Sequence, residues 1–146
     1  MRIRALIVLA SLYAAAGAAQ GQTVLITSEE AKLPNATGQI SSRGITRGPG
    51  IKVLSPDPAS QTVKGPFDLK IAFEPRGGST IDASSAKLIY LKNPAVDLTP
   101  RVKSGIKPSG IEILSAAAPA GEHPIRVTVR DSEGRLGSAE FKLTVK

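Results

Sequence analysis

The sequence predicts an all-β protein, an antiparallel sandwich of about seven strands. Three observations carry that expectation. After residue 50 the apolar residues recur with a period of two. Turn residues separate the runs, drawn from 14 Gly and 11 Pro among 146 residues. The runs are short and show neither a heptad nor an internal repeat. A small closed barrel is the competing arrangement of the same pattern.

The chain begins with an address. Arg2 and Arg4 precede an unbroken apolar or small stretch from Ala5 to Ala16, and Ala16-Gly17-Ala18 follows with small residues. That is the three-part secretory signal, read here as residues 1–18. Its apolar part, about 15 residues, falls short of the roughly 20 that span a bilayer. A retained anchor is the alternative. No Cys follows it to carry a lipid.

Residues 19–49 read as a flexible linker or a partly ordered N-terminal segment. Thr23-Val24-Leu25-Ile26-Thr27 is β-prone, and would serve as an added strand or docking segment if ordered. Thr27-Ser28-Glu29-Glu30 has capping-box spacing, with Thr27 as N-cap and Glu30 three residues on. Pro34 keeps any helix there brief. Asn35 to Gly50 is rich in Gly, Ser, Thr and Arg and has few large apolar residues, the composition of a linker.

The sandwich is expected over residues 50–146. Ile51–Leu54 is its first strand, stopped by Pro56-Asp57-Pro58, with Gln61–Lys64 as a continuation. Phe67–Glu74 alternates most clearly: Phe67, Leu69, Ile71 and Phe73 point one way, Asp68, Lys70 and Glu74 the other. Lys87–Leu91 is continuously apolar after its lysine, which predicts a central strand. Val96–Leu98 is a short strand. Thr99-Pro100 then reads as an N-cap with Pro at the first helical position, giving one turn through Val102. Ile111–Leu114 is a strand, and Pro119–Glu122 a turn. The last two strands form a hairpin: Ile125, Val127 and Val129 on one, Ala139, Phe141, Leu143 and Val145 on the other, joined through Asp131-Ser132-Glu133-Gly134.

The stretch from Pro119 to Val145, PAGEHPIRVTVRDSEGRLGSAEFKLTV, resembles the closing strands of bacterial immunoglobulin-like and fibronectin type III-like domains. The Pro56-Asp57-Pro58 break and the Gly65-Pro66-Phe67-Asp68-Leu69 strand entry resemble them too. The likeness covers about residues 50–146 and implies an immunoglobulin-like sandwich. The inter-sheet Cys pair and core Trp of antibody domains are absent. The wider pattern is similar to uncharacterised secreted proteins of Gram-negative bacteria, a resemblance that implies no catalytic residues.

Composition narrows the chemistry. With no Cys there is no disulfide, zinc-thiolate site, iron–sulfur cluster or Cys nucleophile. A single His, His123, excludes a His-rich metal site. As a general base it would need an orienting acid and a nucleophile. It is read instead as the corner residue of a sandwich, bonded to backbone. The loop acids Asp82, Asp97, Asp131 and Glu133 lack calcium-loop spacing. No catalytic residue, metal or cofactor is therefore expected.

Net charge is +7 for the whole chain. Removal of residues 1–18 takes Arg2 and Arg4 away and leaves 17 basic against 12 acidic residues, a net of +5. Nucleic-acid binding would want cations clustered among aromatics, and only Phe67, Phe73, Tyr90 and Phe141 remain. Contact with an anionic envelope polymer needs charge alone. Its expected residues are Arg43, Arg47, Lys52, Arg101, Lys103 and Lys107. The sequence thus points to a periplasmic or secreted, non-catalytic binding or structural module, whose partner is another envelope protein or an anionic polymer. The alternatives are a small envelope hydrolase or carbohydrate-active protein, and an accessory subunit of a secretion or adhesion assembly.

Overall fold

A computed structural model of the chain describes residues 21–37, 47–57, 59–60 and 62–146. The segment read as a signal lies outside them. In chain order the elements are β1 (Thr23–Val24), α1 (Ser28–Ala31), β2 (Gly50–Ser55), β3 (Phe67–Glu74), β4 (Ile81–Tyr90), β5 (Val96–Asp97), α2 (Thr99–Val102), a 3₁₀ turn (Lys103–Gly105), β6 (Ile106–Lys107), β7 (Gly110–Ala117), β8 (Gly121–Asp131) and β9 (Leu136–Val145). They form two sheets. One runs β1-β7-β3-β2, with β6 also on β7; the other runs β5-β4-β8-β9. The sheets remain separate, so the structure is a sandwich and not a barrel. Of the strands the sequence marks, the first, second and fifth face the third, fourth, sixth and seventh, the immunoglobulin-like order.

The period-two pattern explains the core. Phe67, Leu69, Ile71 and Phe73 of β3 face inward against Ile125, Val127 and Val129 of β8, with Leu88 and Tyr90 of β4 and Leu143 and Val145 of β9. β4 lies between β5 and β8, so it is internal to its sheet as its apolar run predicts. It also starts earlier than its apolar residues suggest. A register shift between Asp82 and Lys87 carries the small polar stretch Ser84-Ser85. The Ser85 hydroxyl patches that bulge, accepting from Arg130 N–H at 2.8 Å and donating to the Asp82 carbonyl at 2.6 Å.

Three local readings shift. Gln61–Lys64 is expected to continue β2; among its described residues, 62–64, Val63 instead makes one parallel bridge to Val145 of β9. Thr99 lies inside α2 and Leu98 holds the cap position. The Thr99 hydroxyl is spent elsewhere, accepting from the Leu88 N–H at 3.0 Å. Strand β8 begins at Gly121, inside the stretch read as a turn.

Residues 21–37 form an arm packed on the sandwich. Strand β1 pairs in parallel with the end of β7, Thr23 to Ala116 and Val24 to Ala117. Leu25 and Ile26 then enter the core, at 0% and 2% exposure. The capping box of α1 forms in full, Thr27 with Glu30. Beyond it Ala36 N–H donates to Leu91 O, and Asn93 N–H to Pro34 O. Of the two readings of this segment, a flexible linker or a partly ordered N-terminal segment, residues 21–37 take the ordered form, with the β-prone run as an added strand. Two large apolar side chains and a satisfied backbone outweigh the entropy of a flexible strand.

Candidate functional site

His123 sits on the inner face of β8, opposite Leu143, and is 1% exposed. Its Nε2 lies 2.7 Å from the Pro119 carbonyl and its Nδ1 2.9 Å from the Tyr90 hydroxyl. The carbonyl only accepts, so Nε2 carries the proton and Nδ1 accepts from Tyr90. Both nitrogens are thereby satisfied within the fold, and no carboxylate orients the ring. Burial pushes the His123 pKa below its ordinary value, the Pro119 bond opposes this, and the positive charge of Lys92 adds to the lowering. Burial also raises the Tyr90 pKa, aided by the charge of Glu30.

Asp131 is buried at the β8–β9 turn. Burial works to raise its pKa, but the net shift is downward. Its carboxylate accepts from the backbone and side chain of Arg135 and from the Glu133 N–H. Every donor comes from the turn, so Asp131 shapes the hairpin. Asp97 is held below the usual range by Thr99, which it bonds at 2.9 Å. Among the described residues no three His, Cys, Asp or Glu side chains are grouped to hold a metal. Among them, too, no helix is long and apolar enough to cross a membrane.

Clefts open at two places among the described residues. The larger, about 680 Å³, lies beside β2 and β9 and is lined by Val53, Asp57, Phe141, Lys142 and Glu122 among others. Its two carboxylates are engaged: Asp57 accepts from Ala59 N–H, and Glu122 pairs with Lys142 at 3.2 Å. The second, about 520 Å³, lies between β4 and α2 and includes Asp97 and Lys103. His123 lines neither.

The six cations read as a polymer contact separate. Arg43 lies outside the described residues. Arg101 is corrected: it is turned into the fold, where Nη1 donates to Glu30 Oε2 at 2.7 Å and to the Leu25 carbonyl at 2.9 Å. That bidentate pair holds the arm and lowers the Glu30 pKa to about 2. Arg47, Lys52, Lys103 and Lys107 are exposed. Lys52 and Lys107 share one cross-strand row, Lys52-Ala72-Gly110-Lys107, on the outer face of the first sheet. Three strand spacings separate them, about 14 Å. The centre of the row is low, because Gly110 cannot carry a side chain. Its φ is +151°, and a Cβ there would lie 1.9 Å from the Ile71 carbonyl oxygen. Lys70 and Glu112 occupy a neighbouring row, and Glu74 another.

Sequence reasoning missed Lys92, which is 7% exposed. Its Nζ donates to the Ala31 carbonyl and the Asn35 side chain of the arm, and lies 5.3 Å from the Tyr90 ring centroid. A lysine after a strand ordinarily reads as solvated, and only the docked arm buries this one.

No protein-family model matches this sequence, and no curated protein sequence does either. Among solved structures the chain is similar to CopC from Methylosinus trichosporium OB3b. The identity is 15% and the TM-score 0.39, over 58% of this chain and 81% of that one.

Proposed function

We propose that this chain is a non-catalytic module of the bacterial cell envelope, exported to the periplasm or beyond, that contacts anionic polymers through its first sheet. The observation that carries the reading is the row from Lys52 to Lys107. It sets two exposed lysines on strands whose backbones are about 14 Å apart, on either side of a low strip, a geometry suited to a linear polyanion lying across the strands. Lys103, in the 3₁₀ turn before β6, is a further exposed cation. The commitment of His123 and Asp131 to structural bonds supports the absence of catalysis.

The test is retention on immobilised peptidoglycan and lipopolysaccharide, with an unrelated sandwich domain as control. The protein is retained and the Lys52→Gln/Lys103→Gln/Lys107→Gln variant is not. Equal retention of the two, or of the control, removes the reading.

A second reading, a small envelope hydrolase, is favoured by one observation: Asp57 and Glu122 line one cleft. It requires turnover of glycan substrates that Asp57→Asn or Glu122→Gln abolishes.

A further inference from the structure

Two groups able to carry positive charge flank the Tyr90 side chain inside this sandwich. His123 bonds its hydroxyl at 2.9 Å, and the Lys92 ammonium lies 5.3 Å from its ring centroid. Lys92 spends its own hydrogen bonds on the arm, on Ala31 O at 3.3 Å and Asn35 Oδ1 at 2.8 Å. The three side chains therefore form a continuous stack from the sandwich corner to the arm.

We propose that the His123–Tyr90–Lys92 stack is a proton-operated latch that holds residues 31–36 of the arm, and that mild acid releases them while the sandwich stays folded.

The chemistry follows from the hydrogen-bond inventory. Neutral His123 has one donor and one acceptor, and both are matched. A second proton goes on Nδ1 and points at Tyr90. The tyrosine must then accept, and its own O–H, buried at 0% exposure, loses its partner. The new imidazolium also faces the same ring as Lys92. The other charged groups around the stack are Glu30 of α1 with Arg101 of α2, and the exposed Glu122–Lys142 pair of β8 and β9. Glu30 is held by Arg101, and Glu122 by Lys142, so neither is free to neutralise a second buried cation. Release of residues 31–36 returns Lys92 to water and relieves the repulsion.

The sign is fixed by linkage. In the latched state burial keeps the His123 pKa below its ordinary 6.5. Release of Lys92 removes its share of that lowering, while burial and the Pro119 bond remain, so the imidazole takes its proton more readily in the open state. Below pH 6.5 the open state binds more protons, so opening grows as pH falls, at most tenfold per pH unit. Above pH 6.5 the latch is insensitive to pH.

Amide hydrogen exchange between pH 7.5 and 5, corrected for intrinsic rates, tests this. The reporters are the Ala36 and Asn93 amides, which donate to Leu91 O and Pro34 O across the arm contact. Their protection falls as pH drops below 6.5, by less than tenfold per pH unit, while that of Val127 in the core holds. His123→Gln flattens the dependence. Should that variant not fold, Lys92→Met is the second: it leaves Ala36 and Asn93 poorly protected throughout and without the slope. Constant protection at Ala36 and Asn93, an equal loss at Val127, or a slope that persists in either variant overturns the proposal.

Discussion

At the scale of single residues, charge and backbone shape were unequally legible. His123 was readable as a corner residue because one imidazole without a nucleophile beside it has little else to do. Arg101 was not: nothing in Pro100-Arg101-Val102 announces that its fork reaches back more than seventy residues to Glu30. That pair makes a measurable prediction. The Glu30 carboxyl titrates at about 2, so its contribution to stability is present above about pH 4.5 and is lost as pH falls toward 2. In Arg101→Gln the carboxyl titrates nearer 4.5 by NMR, and the variant loses about 2 kcal/mol of stability at pH 7. A Glu30 titration unmoved by the substitution contradicts the assignment. Gly110 makes another. Any side chain meets the Ile71 carbonyl oxygen, so Gly110→Ala costs at least about 2 kcal/mol in a denaturant melt, and a neutral effect contradicts the packing.

At the scale of elements, strands with strict alternation were found where the pattern placed them, since one face must be buried and the period allows one register. Elements that lack alternation were harder. Strand β4 starts with Ile81, Asp82 and three small residues, and the Ser85 hydroxyl, bonded to the Arg130 amide of β8, bridges that bulge. The arm is the larger case. Its β-prone run from Thr23 to Thr27 and its capping box were visible, but the partners that receive Leu25 and Ile26, Ala117 of β7 and Arg101 of α2, lie more than seventy positions away. Leu25→Ala and Ile26→Ala are each expected to cost about 2–5 kcal/mol. Removal of residues 19–37 should lower the melting temperature by more than 10 °C, at about 4–8 °C per kcal/mol for a domain of this size. A truncated protein that melts within a few degrees of the parent shows that the arm does not serve the core.

At the scale of the whole molecule, the basic balance takes a definite shape. Part of the +7 belongs to Arg2 and Arg4 of the leading segment. Lys32, Arg101, Arg126, Arg135 and Lys142 are tied in ion pairs within the described residues. Among the exposed cations, Lys52 and Lys107 line up only because β2, β3, β7 and β6 pair in one register. That alignment is invisible in a sequence where the two lie 55 positions apart. With no Cys in the chain, core and arm hold the fold without disulfides.

The measurement that bears most directly on the proposed function is the salt dependence of binding to an immobilised anionic envelope polymer, for the parent and for Lys52→Gln/Lys107→Gln. Affinity for the parent falls steeply with salt, and the double variant loses about two units of the log–log slope, one per lysine. Binding that is insensitive to salt, or a slope the variant shares with the parent, contradicts a polyanion seated on this row.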